Sequence, residues 1–132
     1  MAVPTARTPT VILVDDSLEL RDLVRFGLER HGDFEVVGEG GDGLGGVELA
    51  AVHKPDVVLL DISMPLMDGL EALPLIRQAS PGSAIIMFSA FGISRGAWAS
   101  RLTGAAGFIE KGFSLQELPS RIGETLRAYK AG

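Results

Sequence analysis

Val57 to Gly69 reads VVLLDISMPLMDG. Four consecutive apolar residues suit a strand covered on both faces, and strands of that kind belong to parallel sheets. The run ends on a carboxylate, Asp61, and Pro65 stiffens the chain just beyond, biasing Met64 toward extended backbone. A buried strand that finishes on a charge delivers that charge to a rim.

Outward from this stretch the same pattern repeats. Short apolar runs occupy Thr10 to Asp15, Phe34 to Glu39, Ser83 to Ser89 and Ala106 to Lys111, with a run of its own at Pro55 to Asp61. Helical periods lie between them. Leu20, Leu23, Val24, Gly27 and Leu28 are predicted to share one helix face after an Asp16/Ser17 cap. Leu115, Leu118, Ile122, Leu126 and Tyr129 do so in the last helix, where Ser114 and Glu117 have capping-box spacing. Pro119 implies either a kink or a start near Leu118, and Pro74 raises the same question one helix earlier. Five strand–helix repeats predict a doubly wound α/β fold whose crossovers bring the strands' carboxyl ends to one edge.

Those ends are Asp15-Asp16, Asp61, Ser89 and Lys111. Two carboxylates about 4 Å apart repel by roughly 4 kcal/mol at an effective dielectric near 20, so three in one crevice hold protons or recruit a cation. Hard oxygen ligands without His or Cys favour Mg²⁺. Lys111 adds a fixed positive charge and Ser89 a hydroxyl donor. Together they form a receptor for a phosphoryl group, with Asp61 able to attack phosphorus itself.

Composition narrows the rest. The chain has 132 residues, 46% of them hydrophobic, a net charge of −5 and no cysteine. One domain is expected, with disulfides, thiolate metal sites and cysteine nucleophiles excluded. The acidic balance disfavours gripping nucleic acid. No apolar run approaches the roughly 18 residues of a membrane span. Residues 1–9 read as a flexible tail and residues 10–130 as the folded domain.

From Thr10 to about Tyr129 the sequence resembles the receiver domain of two-component response regulators. LVDDS is similar to that family's first acidic strand end, DISMPLMDG to its phosphoacceptor segment, IIMFSA to its hydroxyl switch strand and GAAGFIEK to its lysine-bearing fifth strand. VVGEGGDG and KPDVVLLDI look most like the subgroup often fused to a helix-turn-helix output domain. The resemblance implies a flavodoxin-like (βα)5 fold with strand order 2-1-3-4-5. It implies Asp61 as phosphoacceptor, and Asp15, Asp16, Asp61 and the Ser63 backbone carbonyl around Mg²⁺. Ser89 and Lys111 are then the groups that meet the phosphoryl oxygens. Ser89 and Phe108 are the implied switch residues, relaying to the fourth helix, fifth strand and fifth helix. By the same resemblance, Ser63 and Phe91 are the positions expected to tune phosphate lifetime. The implied partners are a sensor histidine kinase or phosphotransfer protein and an output protein or domain, in the cytoplasm, with room for a homodimer on phosphorylation.

Three other readings compete. An aspartyl phosphohydrolase needs a second acid two residues after the nucleophile, where this chain has Ser63. A flavin mononucleotide carrier needs a Ser/Thr-rich phosphate loop where this chain has DDSLEL. A phosphorylation-independent docking module stays open because Gly112 stands where the family commonly has proline. Gly38 to Gly43, GEGGDG, matches a dinucleotide fingerprint but follows the second strand, not the first, and reads as a turn and helix start. His31, His53, Lys54 and Arg77 read as surface residues. Between Phe91 and Gly104 three glycines weaken the expected helix, each costing roughly 1 kcal/mol relative to alanine, so either that helix is rotated or shifted or Trp98 faces outward toward a partner.

Overall fold

The apolar runs form five parallel strands, with three helices between them and a fourth after the last, in a computed structural model that describes residues 7–90, 103–112 and 114–132. In chain order these are β1 (Thr10–Val14), α1 (Leu18–Glu29), β2 (Glu35–Gly40), α2 (Gly43–His53), β3 (Val57–Asp61), α3 (Gly69–Ala79), β4 (Ala84–Ser89), β5 (Gly107–Glu110) and α4 (Leu118–Ala131). The helix expected near Ile93, with Phe91 and Trp98, lies outside the described residues. Sheet order is β2-β1-β3-β4-β5, as the family resemblance implied. All neighbouring strands run parallel, so Asp61 pairs across with Phe88 and Ser89 with Glu110 at one edge.

Period-two alternation splits the core into two layers. Val11, Leu13, Val57, Leu59, Ile86 and Phe88 pack under α1 and α4, against Val24, Leu28, Leu118, Ile122 and Leu126. Ile12, Val14, Val58, Leu60, Ile85 and Met87 pack under α2 and α3, against Ala50, Leu73 and Ile76. Every residue of β3 and β4 is buried, which explains why their sequences read as unbroken apolar runs. The register between β1 and β2 slips between Val11 and Ile12, leaving Val37 as an extra residue in β2.

Local signals explain most boundaries. Ser17 caps α1 by accepting from the Leu20 N–H, Asp42 caps α2 from Gly45, and Asp68 with Glu71 forms a complete capping box on α3. Pro74 lies inside α3, which continues past it. The last helix starts at Leu118 with Pro119 in its first turn, where a missing N–H costs nothing. Ser114 therefore does not cap it. Its hydroxyl accepts from Gln116 and its carbonyl from Glu117, closing a turn before the helix, and Leu115 packs on the core from that turn. Leu23, expected on the inner face of α1, is 54% exposed, because Val24 and Leu28 take the inward direction. At the amino edge Arg7 makes two hydrogen bonds to Asp56, at 2.8 and 2.9 Å. Among the described residues no helix is long and apolar enough to cross a membrane.

Candidate functional site

The carboxyl ends of β1, β3, β4 and β5 meet where the strand order reverses between β1 and β3. Asp15 and Asp61 are buried, at 5% and 4% exposure, and Asp16 is exposed beside them. One carboxylate oxygen from each of the three lies within 4.8 Å of the other two. Lys111 reaches in from the end of β5, its Nζ 2.7 Å from Asp15 Oδ2 and 3.3 Å from Asp61 Oδ1. The sequence thus names four groups that the fold brings together from positions up to 96 residues apart.

Each group is held by backbone. The Asp15 N–H donates to Gly40 O at 3.0 Å, and Asp15 Oδ1 accepts from the Ser17 N–H at 2.9 Å. The Ser63 N–H favours the charged form of the Asp61 carboxylate. The Lys111 N–H donates to Ser89 O at 2.8 Å, fixing the lysine's backbone although Gly112 follows it. Ser89 is buried at the last position of β4, one residue beyond the strand partner of Asp61. Phe108 pairs with Met87 and is half-buried against the core layer under α2 and α3.

Electrostatics follow from burial. Desolvation, then the charge of Asp15, push the Asp61 carboxyl above the ordinary aspartate range, while Lys111 and the Ser63 N–H pull it back. Burial works to lower the Lys111 ammonium, but hydrogen bonding and charge from Asp15, then Asp61, hold it above the usual lysine value. One amine thus faces three carboxylates. Asp15 Oδ2 is within ion-pair distance of Lys111 yet has no well-directed hydrogen bond. A buried oxygen whose one neighbour is an amine, beside two further carboxylate oxygens, is a donor set that fits a hard divalent cation.

Three contributors carry weaker sequence signals. Arg21 occupies the inner face of α1, three and seven residues before the buried Val24 and Leu28, and a charge at that spacing is the sign that marks it. Its Nη1 donates to the backbone carbonyl of Asp15. Gly43, the last residue of GEGGDG, donates its N–H to Met67 O at 2.9 Å and so seats the β3–α3 loop on the start of α2. The dinucleotide pattern thus resolves into a turn and cap at the edge strand. Gly69 closes the same loop, because a Cβ there would lie 2.0 Å from Asp61 O. A groove of about 510 Å³, lined by residues that include Arg7, Phe34, Pro119 and Arg127, shares no residue with the acidic cluster.

Residues 11–123 match the family model of the response regulator receiver domain. The chain belongs to that family. This receiver is 36% identical over 118 residues to the chemotaxis protein CheY of Halobacterium salinarum, covering 89% of this chain and 97% of that one. It is 41% identical over 88 residues to a protein-glutamate methylesterase/protein-glutamine glutaminase of Maricaulis maris, covering 67% of this chain but only 22% of that protein. Its backbone is similar to a LuxR-family two-component response regulator from Aurantimonas sp. SI85-9A1, with a TM-score of 0.82, 30% identity, and coverage of 92% and 86% of the two chains. NarL and LuxR regulators are thus among the receiver's relatives, alongside CheY.

Proposed function

We propose that this receiver is a phosphorylation-activated switch that takes a phosphoryl group from a histidine kinase or phosphotransfer protein onto Asp61. The observation that carries the reading is Lys111 Nζ at 2.7 and 3.3 Å from Asp15 and Asp61, with Asp16 completing the acidic group. An Asp61 oxygen attacks phosphorus in line, and the bond from phosphorus to the donor imidazole nitrogen breaks. The electron pair leaves with that nitrogen, and Asp61 becomes an acyl phosphate. Asp15, Asp16, Asp61 and the Ser63 carbonyl are the groups that would hold Mg²⁺. Bound there, the ion supplies neutralisation of the charge on the transferring phosphoryl oxygens.

Lys111 and Ser89 then meet the new phosphoryl oxygens, and Phe108 packs further inward as the readout. Charge-assisted hydrogen bonds contribute about 1.5–3 kcal/mol each, so two give about 3–6. Converting an equilibrium from 1:99 to 99:1 takes about 5.5 kcal/mol. Two such contacts therefore suffice to move a pre-existing equilibrium. Output passes to a partner protein or to a domain on a longer chain, in the cytoplasm, with residues 10–130 as the switching unit. Ser63 stands where a phosphohydrolase carries its second acid, so free phosphate esters are not turned over. Chemistry is confined to transfer onto Asp61 and loss from it.

Incubation with Mg²⁺ and acetyl phosphate tests this, read by intact mass beside Asp61→Asn. One hydroxylamine-labile phosphoryl group on the parent and none on the variant is the expected result. Equal labelling of both removes Asp61 from its role.

A further inference from the structure

We propose that Arg21 is a positioning residue for the metal-binding end of β1, holding the Asp15–Asp16 peptide so that both carboxylates face the same point. The inference rests on the metal-site reading above. Arg21 does not touch the carboxylates. It acts on the backbone between them.

Asp15 has four polar groups, and each has a contact. Its N–H goes to Gly40 O, Oδ1 accepts from the Ser17 N–H, Oδ2 faces Lys111, and the main-chain carbonyl accepts from Arg21 Nη1. That carbonyl belongs to the peptide joining Asp15 to Asp16. Fixing it sets the torsion that decides where Asp16 projects relative to Asp15. Arg21 can do this because its other edge is anchored, Nε donating to Glu39 Oε1 at 3.1 Å. The second Glu39 oxygen accepts from Arg25 Nη1 at 2.8 Å. Arg25 also donates to Glu29 Oε1 at 3.2 Å, and Glu29 Oε2 accepts from the Val36 N–H at 3.0 Å. The Arg21 and Glu39 side chains are only 15% and 18% exposed. A guanidinium offers two donors in a rigid fork, whereas a lysine ammonium in this place reaches one acceptor or the other.

Charge and positioning predict opposite signs here. If Arg21 acted only through its positive charge, removing it would make the acidic pocket attract a cation more strongly. If it positions Asp15 and Asp16, removing it weakens cation binding despite that gain. Arg21→Lys, which keeps the charge and loses the fork, separates the two most sharply.

The test is Mg²⁺ binding by isothermal titration calorimetry without phosphodonor, on parent, Arg21→Ala, Arg21→Lys and Arg25→Ala. Supporting groups that act through a ligand typically change metal affinity by about tenfold or more. A rise of about that size in Kd is expected for Arg21→Ala, with Arg21→Lys between it and the parent. Arg25→Ala, which removes the same charge one turn along without touching Asp15, does not weaken binding. The metal-free hydrogen-exchange rate of the Ser17 amide, which donates to Asp15, is the second readout and rises in both Arg21 variants. Unchanged or tighter Mg²⁺ binding in Arg21→Lys, with parent-like Ser17 exchange, overturns the proposal, including where Arg21→Ala fails to fold. A parent that binds no Mg²⁺ sinks the metal-site reading instead, and Ser17 exchange alone then decides the role of Arg21.

Discussion

Gly43 and Gly45 both stand in the first turn of α2, yet alanine at the two positions should act oppositely. At Gly45 a Cβ would meet Asp42 Oδ1 at 3.6 Å and Gly40 Cα at 3.8 Å, which is ordinary contact. Alanine there stabilises the helix by up to about 1 kcal/mol. At Gly43 the Cβ would fall 2.5 Å from Met67 O and 2.8 Å from Met67 Cγ. The carbonyl must retreat by about half an ångström, breaking the 2.9 Å hydrogen bond from the Gly43 N–H. Overpacking of this kind costs about 1–3 kcal/mol, and the propensity gain returns at most about 1, leaving a net loss of about 0–3 kcal/mol. The displaced loop carries Ser63, whose N–H supports Asp61. A misplacement of 1 Å can cost about a hundredfold in rate, so half that distance implies on the order of tenfold slower labelling of Asp61. Urea unfolding and the rate of Mg²⁺-dependent phosphorylation by acetyl phosphate measure the two effects. If Gly43→Ala were as stable as Gly45→Ala and labelled at the parent rate, the seating of the loop on α2 would be refuted.

Three further outcomes are expected. In chelator, Asp61→Asn should be more stable than the parent at neutral pH, because Asp61 is desolvated and opposed by Asp15. A raised folded-state value means the folded protein binds that proton more tightly. The difference therefore shrinks as pH falls from the raised value through the ordinary aspartate range, which urea midpoints against pH will show. Lys111→Met strands Asp15 and Asp61 without their counter-charge and should cost about 2–4 kcal/mol in chelator, with Mg²⁺ restoring more stability to the variant than to the parent. The stabilisation from Lys111 is present below the ordinary lysine value and is lost as pH rises through its higher folded value. Leu66 has φ of 66° and is 82% exposed, so Leu66→Asn should relieve left-handed strain at no loss of burial and add about 0.5–1 kcal/mol in chemical denaturation.

The sheet and the acidic rim were legible in the sequence for one physical reason. Strands buried on both faces leave no room for polar residues except at their ends, so Asp15, Asp61 and Ser89 stand out against unbroken apolar runs, while Lys111 follows a short, partly exposed edge strand. Side-chain partnerships were less legible. Arg77 is exposed, as expected, but its Nη1 also donates to Gly104 O at 3.1 Å, 27 residues away. Arg21 reaches Glu39 and the Asp15 carbonyl by folding back along its own helix, a direction that periodicity does not encode. Ser114 misled because capping-box spacing also suits a tight turn, and Pro119 sets the later helix start. Leu23 misled because α1 buries a stripe narrower than its apolar content.

The extra residue in β2 has a consequence for which side of the sheet carries charge. Strand side chains alternate, and Val36 points under α1 while Val37 points under α2. Without the slip, Glu39 would follow Val37 and face the glycine-rich start of α2, where no arginine waits. With it, a Cβ on Gly38 would point at Leu49 and His53 of α2, and Glu39 turns back to meet Arg21 and Arg25. Pairing the same residues without the slip would thus flip an anion from one face of the strand to the other. A one-residue irregularity in the outermost strand keeps its glutamate turned toward the arginine that holds the Asp15 carbonyl.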